Sequence, residues 1–549
     1  MNRKYLLFAS ALLMNQVVAA QTPYMNENYM PTDLIGSARY VGMGGALGAL
    51  GADVSAGAAN PAALGLYRRS DVSMAFSVLT QKEKPDLNAD MTHMSFDQLG
   101  FVVSVPIMGK SVRYVNFGAN YQKRANFNSS FIADNGQLNG LSQTQQMADI
   151  LNHTPYSTPL ADLMYYGCLV NPVYNRDGQG NVQLDEAGNP QYDYYDALEA
   201  DQNNYDRVTE GGIAGYEFNM SMNIKDRAYV GFAIGVNDVD YYSYSTYREF
   251  GQIGNSFNEM LSGVEYYSLY NTQHVSGYGV NAKFGAILRP MANSPFRIGL
   301  AVETPTFYHL EYYSSYSIDS PMYEDENYNV LLEQDANGDF VYTNHQPEVD
   351  LATLHMRIVT PWKVRVSLGH TVGKYAAFGA EYEYANYGQT KQGYEDWDYD
   401  NWWGYTYGST VRDKEMNALH KATMRGSHSF KFGMELNLTD NVAFRAGYNY
   451  YSSMFKDEAT LDQTGDSPAF GYQTTTDYMN KGDVNIFTAG LGYRGRHFYA
   501  DIAYKYRMQS GDFYAFDDTY IATQESGRLA PVEVNLDTHQ VFFSVGYKF

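Results

Sequence analysis

Apolar residues recur at every second position in segment after segment of this chain. In 216–224, Tyr216, Phe218, Met220, Met222 and Ile224 share one face, and Glu217, Asn219, Ser221 and Asn223 share the other. In 498–508, Phe498, Ala500, Ile502, Tyr504 and Tyr506 oppose Tyr499, Asp501, Lys505 and Arg507. At the end of the sequence, Val541, Phe543, Val545, Tyr547 and Phe549 alternate with Ser544, Gly546 and Lys548. A period of two belongs to an extended strand, whose successive side chains point to opposite faces. Fourteen such segments are predicted: 72–80, 99–106, 114–123, 216–224, 229–237, 278–288, 296–303, 363–369, 376–384, 429–438, 442–450, 485–493, 498–508 and 540–549.

The connectors alternate in length. Short ones fall at 108–111, 225–227, 290–295, 370–374, 439–441 and 494–496. Long ones fall at 81–94, 126–212, 239–276, 305–361, 386–426, 451–484 and 509–537. Short turns at one end and long loops at the other are the signature of a transmembrane barrel, one of two architectures that satisfy the backbone inside lipid. A strand face carrying Glu, Asp, Lys and Arg fits a hydrated lumen and would be excluded from a sandwich core. The predicted class is all-β: a transmembrane antiparallel β-barrel of about 14 strands in a bacterial outer membrane. The even strand count places both termini in the periplasm.

Composition sharpens this reading. The only long apolar run lies in the first twenty residues: Arg3 and Lys4, then LLFASALLM, then small residues up to Ala20. That order predicts a secretory signal peptide over 1–20. Beyond it no run approaches the ~18 apolar residues of a spanning helix, and mean hydropathy is −0.42. The 52 Tyr, 28 Phe and 49 Gly suit aromatic girdles and close strand packing. One cysteine, Cys168, excludes an intrachain disulfide or a thiolate metal cage. The net charge of −23 argues against nucleic acid as a partner.

Fourteen strands enclose more space than the eight whose interior side chains fill a barrel. Unless the protein is a water channel, the lumen needs a plug, and 21–69 is the candidate, followed by the barrel and its loops over 70–549. This region carries Gly36-Ser37-Ala38-Arg39, a Gly/Ala run over 42–51, and Asn60-Pro61-Ala62-Ala63-Leu64 just before the first strand. On these residues it resembles the N-terminal hatch of the FadL/TodX family, outer-membrane transporters of long-chain fatty acids and other hydrophobic compounds. The resemblance covers roughly a tenth of the chain and assigns the hatch to Arg39, Gly42, Gly44, Gly45, Asn60, Pro61 and Ala62. It implies passive uptake of a hydrophobic small-molecule ligand, with outer-membrane lipids, lipopolysaccharide and the barrel assembly machinery as partners. It also implies sideways release at a kinked third strand, where Gly118 is the residue suited to a kink; the alternative is a glycine that permits tight packing in an unbroken strand.

In the long loop after the third strand, Met147, Ile150 and Leu151, then Leu160, Leu163 and Met164, predict two short amphipathic helices split by prolines. These six residues form either an apolar landing groove at the cell surface or the packing of a self-contained loop cap. Other patterns fail on inspection. The third glycine of the run from Gly42 to Gly48 is misplaced for a dinucleotide fingerprint, and no apolar strand precedes it. The acidic stretches 175–186 and 333–344 each have glycine at the sixth position of a calcium loop, but neither is read as an EF-hand site. The remaining loop acids read as a solvated surface, as a filter against anions, or as a means of capturing divalent cations beside lipopolysaccharide phosphates. The eleven His contain no pair four apart. Catalysis, a metal and a cofactor are therefore not expected. Alternative functions are a receptor or channel for another nutrient, such as haem, a general porin, and a barrel that merely anchors adhesive loops.

Overall fold

The computed structural model describes residues 22–549 apart from 83–89, 108, 110, 154–156, 255–259, 326–329, 333–340, 342–343, 351–352, 401–404, 462–473 and 523–525. The expected signal segment 1–20 and the stretch 333–344, except 341 and 344, lie outside the described residues.

Fourteen antiparallel strands form a closed ring. They are β1 (Asp71–Gln81), β2 (Thr92–Pro106), β3 (Val112–Asn126), β4 (Gln202–Ile224), β5 (Ala228–Gly254), β6 (Met260–Leu288) and β7 (Arg297–Glu303). The ring continues with β8 (Lys363–Val372), β9 (Ala376–Asn386), β10 (Gly426–Asn437), β11 (Val442–Tyr451), β12 (Val484–Arg494), β13 (Phe498–Met508) and β14 (Thr538–Lys548). Each strand pairs with its neighbour in the chain's order. The seam closes where β1 pairs with β14, from Asp71 opposite Lys548 to Gln81 opposite Thr538. All fourteen correspond to the strands read from the alternation.

Polarity is inverted relative to a soluble protein. Phe101, Phe218, Phe284, Leu300, Phe432 and Phe543 are exposed on the outer face. Glu217, Lys283, Glu303, Arg365, Glu381, Lys431, Glu435, Arg445, Asp501 and Lys505 are buried on the inner face. An apolar belt of this kind is stable only against hydrocarbon, so the ring is a membrane-spanning barrel.

Two features differ from the alternation and have local causes. β2 begins at Thr92 rather than 99, because a register shift opposite Ala75/Phe76 leaves Asp97 unpaired with β1. Asp97 and Gln98 are then both buried, and the period-two phase breaks. β4, β5 and β6 run far beyond the 9–11 residues that cross a bilayer, at 23, 27 and 29 residues. In this extension inward Tyr241 and Tyr247 alternate with Tyr242, Tyr244 and Thr246, so the strand period persists while the polarity contrast fades. The outer half of β6 pairs with Phe307–Ser320, which pairs with Leu354–Val359, so a wall of sheet rises beyond the membrane.

Candidate functional site

The segment between residue 22 and β1 is threaded through the ring and buried there. Ser37 caps the helix Ala38–Gly42, its hydroxyl accepting from the Tyr40 amide at 3.1 Å and donating to Asp53 at 2.8 Å. Gly44 and Gly45 follow at φ +59° and +71°, a left-handed turn in which a β-carbon would be strained. Asn60 caps the next turn: its Oδ1 accepts from the Ala62 amide at 3.0 Å, and its Nδ2 donates to the Gly48 carbonyl at 3.0 Å. Pro61 occupies the first helical position, where its missing N–H costs nothing.

Wall side chains on many sides grip this segment by its backbone. Gln122 of β3 donates to the Ile35 carbonyl at 2.6 Å and Asn116 to the Leu64 carbonyl at 2.7 Å. Lys283 of β6 donates to the Ala58 carbonyl at 3.0 Å, and Lys505 of β13 reaches the Leu34 carbonyl at 3.2 Å and Asp33 at 2.7 Å. These cations are themselves tied into a belt of ion pairs that runs round much of the inner wall. Glu217 binds Arg124 at 2.8 Å and Lys283 at 2.5 Å; Arg365 binds Glu303 at 2.8 Å and also Glu383. Lys431 binds Glu381 at 3.0 Å, and Arg445 joins Glu435 at 2.7 Å to Asp501 at 2.6 Å. Arg39 enters the belt from the plug, 3.0 Å from Glu435. A charge removed from such a dry network leaves its partner unpaired, at a cost of about 3–5 kcal/mol.

Where the plug touches the wall, the wall is glycine. Gly369, Gly379, Gly433 and Gly447 are cross-strand partners in one row over β8–β11. A β-carbon on Gly379, Gly433 or Gly447 would overlap the plug backbone at Ala46, Met43 or Gly44. Gly231 and Gly285, paired across β5 and β6, make the same room for Pro61 and Asn60. Arg39, Gly42, Gly44, Gly45, Asn60, Pro61 and Ala62 are thus brought together inside the ring. The wall glycines and the ion-pair belt are the participants missed in the sequence; their signal was glycine or charge at inward positions of the strands.

Two sequence expectations were open between two readings, and the structure fits the second of each. Gly118 lies in an unbroken ladder, opposite Val102 on one side and Asn219 on the other, with register shifts only at Val112/Tyr114 and Lys123/Ala125. Its missing side chain makes room for Leu64, so packing rather than a kink accounts for it. Met147, Ile150, Leu160, Leu163 and Met164 are buried and Leu151 packs against them. The helices Gln143–His153 and Pro159–Tyr166 turn their apolar faces inward against Phe131, Tyr205, Tyr247 and Phe513, so these residues form the core of a loop cap and not an open groove.

Two cavities meet at Met30-Pro31-Thr32-Asp33 of the plug segment. The inner one, about 120 Å³, is bordered by Asp33, Glu303, Glu383, Arg124, Lys283 and Arg365, and by Lys123 and Lys363. Among the described residues no carboxylate lies within 4.0 Å of those last two lysines, although Glu303 and Glu383 act on Lys363, and Asp97 on Lys123, from farther away. The outer one, about 230 Å³, lies beneath the loops, between Phe127, Tyr241, Leu79 and polar groups from β3, β4 and the plug segment. A third concavity, on the lipid face outside the glycine row, is bordered by Phe378, Phe432 and Tyr448.

No protein-family model matches the chain, and no curated protein is significantly similar to it. Among solved structures it is similar to a FadL homologue of Pseudomonas aeruginosa, at 12% identity and a TM-score of 0.48, over 94% of this chain and 99% of that one. It is similar to the toluene transporter TbuX of Ralstonia pickettii, at 13% identity and a TM-score of 0.44, with the same shares covered. The P. putida toluene transporter TodX follows at 11% identity and a TM-score of 0.43, again over 94% and 99%. Scores of this size carry no functional argument, and the architecture rests on the strand pairing itself.

Proposed function

We propose that the protein is an outer-membrane transport barrel that admits hydrophobic small molecules bearing an anionic head, long-chain fatty acids being the simplest class, by passive diffusion past an N-terminal hatch. In this reading 1–20 is removed on export, 21–69 is the hatch and 70–549 is the barrel with its outer loops. The observation that carries the proposal is the pair of cavities meeting at 30–33, on the plug itself. A small movement of that segment would join an outer chamber with aromatic walls to an inner chamber with unpaired lysines. A general porin fits less well, because the plug backbone is bonded to the wall on several sides. Lys123 and Lys363 are assigned to the head group, since a cation without an ion-pair partner in a confined chamber favours an anion. Uptake of a labelled long-chain fatty acid by cells with and without the protein tests the proposal. Protein-dependent uptake that falls in the Lys123→Gln/Lys363→Gln double variant is the expected result. Equal uptake with and without the protein would end it.

A further inference from the structure

Of the described charged residues, Asp33 alone borders both chambers. Its Oδ1 accepts from the Leu34 amide at 2.7 Å and from Lys505 Nζ at 2.7 Å. The same ammonium donates to the Leu34 carbonyl at 3.2 Å, so one lysine holds the lower end of the junction by side chain and backbone together. The Lys505 side chain is 1% exposed and that of Asp33 19%. The carboxylate therefore faces the chambers and covers the ammonium. Two residues further along β13, on the same inner face, Arg507 borders the outer chamber. The other charges around that chamber are engaged with one another: Glu27 with Lys481 at 2.9 Å, and Arg207 with Asp477 at 2.5 Å. Arg507 donates to Gln509 Oε1 at 2.6 Å. Among the described residues no carboxylate forms an ion pair with it, and it acts on Asp33 only from farther away.

An anion in the outer chamber meets Arg507 first, then a carboxylate already seated on a buried ammonium. Breaking that pair outright would strand a charge in a dry site, which is costly. Exchanging it is not, because a ligand carboxylate that takes Lys505 replaces one ion pair by another of the same kind. The displaced Asp33 then shares a confined space with a second negative charge, and their repulsion drives its segment away. We infer that Arg507 and Lys505 form a second anion site, in which Asp33 stands in for the ligand's head. A monoanionic head arriving at Arg507 displaces Asp33 from Lys505, and the junction 30–33 is released. An uncharged chain of equal length fills the same chamber but has nothing to exchange with Asp33. The inference rests on the transport reading above and adds to it where the ligand's charge is read and what that charge unlocks.

The test places a thiol at the junction. Met30 is 2% exposed, and the chain's own cysteine, Cys168, is buried. Met30→Cys in the full barrel therefore reports movement of the segment through its rate of labelling by a soluble maleimide. Octanoate should speed labelling, and octanol, of the same chain length without the charge, should not. Adding Asp33→Asn should give fast labelling with neither present. Adding Arg507→Gln should raise the octanoate concentration required about tenfold, the loss of one charge-assisted hydrogen bond. Equal effects of octanoate and octanol, no effect of either, or slow labelling of the Asp33→Asn barrel overturns the exchange. Calorimetric titration of barrels without the added thiol is the second measure: Asp33→Asn, lacking the competitor, should bind octanoate about tenfold more tightly and octanol no differently. Unchanged octanoate affinity there overturns the exchange as well. Heat-modifiable migration verifies that each variant has assembled. Fatty-acid uptake by cells carrying the parent protein separates the two proposals: uptake that persists while octanoate leaves labelling unchanged ends the exchange alone, and absence of uptake ends the transport reading.

Discussion

Replacing Gly433 with Ala should loosen the plug while leaving the barrel standing. The added methyl carbon would sit 2.9 Å from the carbonyl carbon of Met43 and would overlap its oxygen. Ordinary contact begins at 3.4 Å, so the plug backbone must retreat by at least 3.4 − 2.9 = 0.5 Å at the carbon, and further at the oxygen. The wall cannot give way instead, because Gly433 is locked between full ladders to β9 and β11. Overpacking of this kind costs about 1–3 kcal/mol. The penalty falls on plug–wall contacts, which are single hydrogen bonds and ion pairs. Gly379→Ala should act in the same way through Ala46, and the double variant should be non-additive because the two glycines are direct partners. Gly118→Ala is the control: its methyl would be crowded only by the terminal methyl of Leu64, a flexible side chain, its other neighbours being at ordinary contact distance. Single-channel recording in planar bilayers reads the outcome, with heat-modifiable migration to verify assembly. Gly433→Ala should conduct more often than the parent and Gly118→Ala should not. A Gly433→Ala barrel that assembles and stays as silent as the parent would refute the idea that the glycine row sets the plug's position.

Deleting 24–59 should turn a nearly silent protein into a conducting pore, because a fourteen-stranded ring is too wide to seal itself; continued silence would assign closure to the outer loops. Replacing Asn60 and Pro61 with Ala removes the cap and the bond to Gly48, and should leave barrel yield intact while altering uptake of a labelled fatty acid; unchanged uptake at normal yield would remove this turn from the mechanism. Glu435→Gln strips the carboxylate shared by Arg39, Arg445 and Arg494, and protease sensitivity of the plug should rise in keeping with a loss of about 3–5 kcal/mol. His420, fully buried in the outer helix Lys414–Thr423, accepts from Asn26 Nδ2 at 2.9 Å through one ring nitrogen and donates to the Met416 carbonyl at 2.7 Å through the other. Burial holds its pKa down at about 4 against an ordinary 6.5. Its contribution is therefore intact above pH 6.5 and is lost as the pH falls toward 4, by roughly 3 kcal/mol in all. The protection factor for hydrogen exchange around Asn26, which divides out the intrinsic pH dependence of exchange, should fall over that window and stay constant in His420→Gln.

The strands were legible because lipid imposes a rule on every one of them: an outward residue is apolar whatever its neighbours are. Phe218, Phe284 and Phe432 obey it, and a single strand suffices to see it. The rule lapses in three places, each for a physical reason. At Asp97 a bulge inserts one residue and shifts the phase. Beyond the bilayer, Tyr and Ser serve either face, so the long outer halves of β4–β6 read as loop. In the loop cap, apolar residues such as Met147 and Leu163 pack on one another, and helical spacing alone does not separate a covered face from an open one. The segment inside the ring stood out by its composition, but its wall partners did not. Glu435 meets Arg39 across 396 positions, and Gly433 shows its purpose only when Met43 lies against it.

The connection of plug to wall also bears on how the molecule comes into being. The Ala38 amide bonds to Ser544 of β14 across 506 positions, and Lys505 reaches Asp33 across 472. Contacts so distant along the chain form late, since each must first close a long loop. The plug leads directly into β1, and β1 is one side of the seam that β14 closes. A glycine-lined wall that fits the plug this closely leaves little clearance for inserting it afterwards. Threading and closure are then one kinetic event, and refolding should stall with thirteen of the fourteen strand pairings formed, the plug half seated and the edges of β1 and β14 still open.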